Sequence, residues 1–195
     1  MRPEPRLSRP GRAALGVITV ELALVMGIFL MFVVGTMETA RLVFVLNTAQ
    51  DVTRRAARAA ALTDFSDPAA VTALRYRALF RESDGALPLV PELTPDHLRF
   101  EYLSLSASGV LAPVVAMPAC PAQNVVNCTI DANGTSCIRF VRVRICAAAS
   151  GACTPLPYAS LTGLVPGMSA LAVPIASTVV KAETLGFQPG TSSCL

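Results

Sequence analysis

The sequence predicts an α+β fold in which a long N-terminal helix, half of it suited to a membrane, carries a disulfide-stabilised head with an antiparallel β-sheet. Three observations predict it. Residues 17–37 form an apolar run with a single charge, Glu21. Beyond residue 96, apolar side chains recur at every second position, as in Leu98, Phe100 and Tyr102 and again in Val141, Val143 and Ile145. All six cysteines, Cys120, Cys128, Cys137, Cys146, Cys153 and Cys194, follow the apolar run.

Hydrophobic residues make up 53% of the 195 positions and charged ones only 15%. Soluble domains carry about a quarter charged residues, so part of this chain is expected to bury itself in something other than its own core. The net charge of +3 is local. Residues 1–16 hold Arg2, Arg6, Arg9 and Arg12 against Glu4, which leaves 12 basic and 12 acidic residues from Val17 onward. A neutral body lacks the concentrated basic face that nucleic acid requires, and no nucleic-acid partner is expected.

At about 1.5 Å per residue, a helix over 17–37 spans roughly 31 Å, which matches a hydrocarbon core of about 30 Å. A core helix of a soluble protein would show a polar stripe, and Leu22 to Gly35 has none. A cleaved secretory signal would have a shorter apolar region ending at small residues. Here Thr36-Met37-Glu38-Thr39 follows instead. Arginines precede the run, and such excess marks the cytoplasmic flank. The reading is a single pass through the inner membrane, with 1–16 a cytoplasmic basic leader, 17–37 the transmembrane helix and the remainder periplasmic.

No proline occurs between Gly11 and Pro68, so the helix is expected to continue through 38–62. Leu42, Val45, Ala49, Val52, Ala56 and Ala60 form a narrow apolar stripe on it. The stripe could pack on the chain's own head, on another subunit, or on both along different parts. Asp51 and Arg55 are an opposite-charge pair at i,i+4 spacing. The head, 63–195, is long enough for one core. Ser66-Asp67-Pro68 predicts a helix start, with helix through about Glu82 and a loop from Ser83 to Asp96. Asn133-Gly134 between two apolar runs predicts a hairpin. Pro155 to Gly167 reads as irregular, and Ala172–Glu183 as a last strand that starts at an edge because of Pro174.

An even set of cysteines in an oxidising compartment predicts three disulfides, for which six cysteines allow 15 connectivities. Cys146–Cys153 is the first choice, because 147–152 is a short loop leaving a strand. The other four stay open. A two-residue turn at Asn133-Gly134 sends Cys128 elsewhere, for instance to Cys120. A four-residue loop, Asp131–Gly134, pairs Cys128 with Cys137 and leaves Cys120 for Cys194. A zinc site is disfavoured because no C-x-x-C occurs. His97, the only histidine, begins a strand without visible partners for metal or triad duty. Gly167-Met168-Ser169-Ala170-Leu171 lacks the second glycine of a nucleophile elbow. Asp64 and Asp67 read as solvated caps. No enzymatic activity, metal or cofactor is expected.

The informative stretch is Arg12-Ala-Ala-Leu-Gly16-Val17-Ile-Thr-Val-Glu21-Leu22. Glycine at the junction of leader and apolar helix leaves room for close backbone approach. Glu21 follows one helical turn after Val17. This arrangement resembles the type IV prepilin processing site, where a membrane peptidase cuts after the glycine. The resemblance implies cleavage between Gly16 and Val17, and a new Val17 amine that Glu21 could neutralise in the same or a neighbouring subunit. Downstream, Val20-Glu21-Leu22-Ala23-Leu24-Val25 is similar to the opening of the TadE-like domain. Gly35, Met37-Glu38, Ala40-Arg41-Leu42, Asn47, Gln50, Arg54 and Ala57-Arg58 then fall, without gaps, where that family carries similar residues. The resemblance covers about residues 12–62, with Leu22 in place of an aromatic and Gly27 in place of a proline. It implies a minor pseudopilin of the tight-adherence (Tad/Flp) pilus, processed by a prepilin peptidase and working with membrane lipid, other pilins or pseudopilins, and the Tad secretion machinery. The alternative is an uncleaved membrane-anchored periplasmic binding domain.

Overall fold

The computed structural model describes residues 12–147, 151–190 and 194. The leader residues Arg2, Glu4, Arg6 and Arg9 lie outside the described residues. A single helix, α1 (Arg12–Ala60), runs for 49 residues without a proline to break it. Its first part, from Gly16 to Phe32, is exposed throughout. Its last part is the spine of the head.

The head is built on a four-stranded antiparallel sheet of β1 (Leu98–Leu105), β2 (Leu111–Pro113), β3 (Phe140–Ile145) and β6 (Ser177–Lys181), in the order β2-β1-β3-β6. Period-two alternation decides which face is buried. In the registered pairs, Leu98 lies opposite Ile145, Phe100 opposite Val143 and Tyr102 opposite Val141, so one face is apolar. This face packs on α1, whose Val45, Ala49, Val52, Ala56 and Ala60 are all buried. The stripe on α1 therefore packs on the chain's own head from Val45 onward. Small side chains toward its end let the helix lie close to β3, and Thr53 meets Thr178 of β6 through their hydroxyls at 2.9 Å. The opposite face carries Arg99, Glu101, Arg142 and Arg144. Arg99 and Arg144 are directly opposed, and Glu101 between them forms ion pairs with all three arginines.

Helix α2 (Pro68–Ala78) also packs on α1. Asp67 caps it by accepting from the Ala69 amide at 2.9 Å, while Asp64 accepts from Ser66. It ends at Ala78, four residues before the expected Glu82, because Phe80 turns into left-handed backbone with φ 58°. After β6 the chain returns to the end of α1, where the Ala61 carbonyl accepts from the amides of Glu183 and Leu185. Gly186 (φ +82°) is required there, since a Cβ would come 2.5 Å from the Asp64 nitrogen.

Two expectations are corrected. The segment before Asn133-Gly134 is a helix, α3 (Pro121–Ile130), so no hairpin forms there. Proline at the first helical position favours this start, and the Asn124 side chain replaces a partner strand. Its carbonyl accepts from the Ile138 amide at 2.8 Å, and its amide donates back to the Ile138 carbonyl. The expected last strand is divided by Pro174. Ala172–Val173, β5, pairs with β4 (Leu156–Pro157) in a separate two-stranded sheet, and only Ser177–Lys181 joins the main one, at its edge. Proline lacks the N–H needed to continue a ladder. The segment read as irregular from Pro155 thus contributes β4.

The cysteines pair as Cys146–Cys153, Cys128–Cys137 and Cys120–Cys194, with Cα separations of 4.9, 4.8 and 6.2 Å. The first choice holds. Of the open alternatives, the Cys128–Cys137 set is found, but it joins a helix to an extended segment rather than two strands of a hairpin.

Candidate functional site

The site is the first two-thirds of α1 and the loop that grips it. From Gly16 the side chains Val17, Ile18, Val20, Leu22, Leu24 and Val25 are all exposed, and so are Ile28, Phe29 and Phe32. Exposed apolar surface on this scale is unsustainable in water. The helix is long and apolar enough to cross a membrane. Gly16 and Val17 lie inside α1 rather than at its start, since helix begins at Arg12. Thr19 donates its hydroxyl to the Gly16 carbonyl at 2.8 Å, and no atom outside the neighbouring backbone lies within 4 Å of a Cβ built on Gly16. Glu21, four residues after Val17, is exposed on the same side of the helix.

At the head end of the apolar run stands Glu38, only 1% exposed. A buried carboxylate must be hydrogen-bonded to remain charged. Its Oε1 accepts from the Thr162 amide at 2.8 Å, the Thr162 hydroxyl at 2.9 Å and the Ser160 hydroxyl at 2.9 Å. The Tyr158 hydroxyl donates to Oε2 at 3.2 Å. The Thr162 amide, followed by the hydroxyls, outweighs burial and draws the Glu38 carboxyl from its ordinary 4.5 down to about 2. One turn further on, Arg41 pairs with Glu92 at 2.7 Å, donates to the Ala159 carbonyl and lies 5.1 Å over the Tyr158 ring. Glu92 also accepts from the Ala159 amide at 3.2 Å. Glu38 and Arg41 thus hold the 158–162 segment against α1 just where the apolar run ends.

Residues 16–58 match the family model of TadE-like proteins. No curated protein and no solved structure matches the chain significantly. The TadE-like match is confined to α1. It spans Gly16, Val17 and Glu21 at one end and reaches through Glu38 and Arg41 to the buried stripe at the other.

The cysteines lie on the head and serve its fold. His97 accepts on Nδ1 from the Thr94 amide at 3.1 Å, and burial lowers its pKa, so it caps a turn. Met168–Ala170 is a single 3-10 turn within the loop beside α1. The Glu38–Arg41 knot was missed in the sequence, where Met37-Glu38 and Ala40-Arg41 appeared only as positions of family resemblance. The available signal was a carboxylate ending an apolar run, one turn before an arginine.

Proposed function

We propose that the chain is a minor pseudopilin of the Tad/Flp pilus system, anchored in the inner membrane through Val17–Met37 with its leader cytoplasmic and its head periplasmic. The TadE-like match over the exposed apolar helix carries this reading. A prepilin peptidase cuts between Gly16 and Val17, and the processed chain works by assembly rather than by catalysis. Because the bond lies within helix, the peptidase must unwind it locally. Glycine makes that easier, since it disfavours helix by about 1 kcal/mol relative to alanine. Cleavage removes the basic leader and leaves the anchor. The apolar surface of residues 17–34 then packs laterally against other pilin helices, and the head presents a docking surface or cap to the secretion machinery.

Mass spectrometry of the protein recovered from peptidase-positive cells tests the reading. A chain beginning at Val17 is expected, and Gly16 replaced by a bulky residue should block its appearance. Recovery of the uncut chain alone would turn the assignment to a membrane-anchored periplasmic binding domain.

A further inference from the structure

The loop gripped by Glu38 does not turn away from the membrane segment. Val33, Val34 and Gly35 of α1 are half-buried, whereas the helix before them is fully exposed. Val165 and Met168 of the loop border an apolar groove that runs along α1 from Ile28 past Gly35 to Val43. At 1.5 Å per residue, Gly35 and Val33 lie about 5 and 8 Å below Glu38, within the apolar run. The loop therefore extends back along the helix into the level of the span.

Its composition suits that level. No Asp, Glu, Lys or Arg occurs between Ile145 and Val180. Leu161 is 63% exposed and Leu164 69%, while Val165 and Met168 beside them are half-buried. Lipid-exposed irregular backbone is excluded from the hydrocarbon interior, so a loop of this kind is confined to the interface, where water and headgroups serve the polar groups it does not satisfy itself. In this loop the Thr162 amide goes to Glu38, the Gly163 amide to the Ser160 hydroxyl and the Leu164 amide to the Thr162 hydroxyl. The Met168, Ala170 and Leu171 amides reach carbonyls within the loop, and Pro166 has no N–H to satisfy.

We infer that residues 160–171 form a second membrane contact, a wedge seated in the head-side leaflet against the end of α1, with Leu161 and Leu164 in contact with lipid acyl chains. The inference rests on α1 being a membrane anchor. Lipid is the occupant because the groove is continuous with the apolar surface of that anchor. Interfacial segments are buried to a depth of about 5–10 Å, comparable to the axial distance from Glu38 down to Gly35 and Val33.

The chain contains no tryptophan, so single substitutions supply unique probes. Full-length Phe29→Trp, Leu164→Trp and Val110→Trp would each be reconstituted into phosphatidylcholine–phosphatidylglycerol vesicles, with and without bromine on the acyl chains. Phe29 reports the anchor, and Val110 is an equally exposed apolar position on the β1–β2 turn of the head. Brominated lipid should quench the tryptophans at 29 and 164 and leave the one at 110 unchanged. A tryptophan at 164 that is unquenched while the one at 29 is quenched overturns the wedge and spares the anchor. Emission at 164 that is blue-shifted yet insensitive to bromine overturns the wedge too, because protein then covers the loop. Quenching at 110 equal to that at 164 would also overturn it, since the loop would then be no different from other exposed apolar surface. No quenching at 29 removes the anchor reading and the wedge with it.

Discussion

Glu38 receives both the backbone amide and the hydroxyl of Thr162, a residue 124 positions later in the chain. The bonds converge on a single carboxylate oxygen, which the Ser160 hydroxyl also reaches. The head is thus fastened to its helix twice, by apolar packing along the stripe from Val45 and by this charge-assisted clasp.

The clasp should respond to acid. The Glu38 carboxyl is depressed in the folded state from 4.5 to about 2, so its contribution is fully present above pH 4.5 and fades as the pH falls toward 2. In detergent-solubilised protein, hydrogen exchange over 158–164, corrected for intrinsic rates, should accelerate through that window. Glu38→Gln should exchange faster than wild type at pH 7 and equally fast near pH 2. Equal protection of the two proteins at pH 7 would mean that the charge contributes nothing.

Overpacking should expose how closely α1 lies on the sheet. Ala56 and Ala57 are fully buried, and Ala56 lies on the stripe that faces it. Ala56→Leu should destabilise the head by about 1–3 kcal/mol, read as a lowered urea midpoint for its unfolding. Substitution of the neighbouring exposed Arg54 by alanine should leave the midpoint nearly unchanged.

The disulfides should differ in worth. Cys120–Cys194 spans 74 positions and Cys146–Cys153 only 7. The chain-entropy relation gives about 4.5 kcal/mol for the former and about 2.5 kcal/mol for the latter. Paired serine substitutions, compared by denaturant unfolding, should preserve that order. Alkylation of denatured, unreduced protein should label none of the six cysteines, and disulfide-linked peptides should report the three pairings.

For Glu21, removal should separate insertion from assembly. An unpaired carboxylate this near the interface costs about 1–3 kcal/mol, which the new Val17 amine would offset within a turn or across subunits. Glu21→Ala should therefore show normal membrane levels and continued cleavage with fewer pili by electron microscopy. Undiminished pili would leave the glutamate as an interfacial residue.

The parts of this fold that were legible in the sequence are those governed by local period. The long α1, the start of α2 at Asp67-Pro68 and the alternation in β1 and β3 needed no distant partner to be recognised. Helix α3 was misread because Asn133-Gly134 between apolar runs suits a hairpin of two strands. What decided it was Asn124 bonding to Ile138, a contact across 14 positions. Gly16, Val17 and Glu21 were singled out through their resemblance to a prepilin processing site. Glu38 was not, because its partners Tyr158, Ser160 and Thr162 arrive 120 to 124 positions later in the chain. A carboxylate at the end of an apolar run is equally compatible with a solvated side chain.

Since one unbroken helix carries both the apolar run and the spine of the head, the two cannot turn independently. The 17 residues from Glu21 to Glu38, each advancing about 100°, leave these two carboxylates about 100° apart around the axis. If Glu21 pairs with a neighbour as proposed, that contact would set the compass bearing of the 160–171 loop and of the arginine-rich sheet face. A single residue inserted between Val25 and Phe32 would swing the head by about a quarter-turn without altering one contact inside it. Register along the apolar run is thus orientation of the head, and the spacing of residues there is a mechanical specification for the way the head faces.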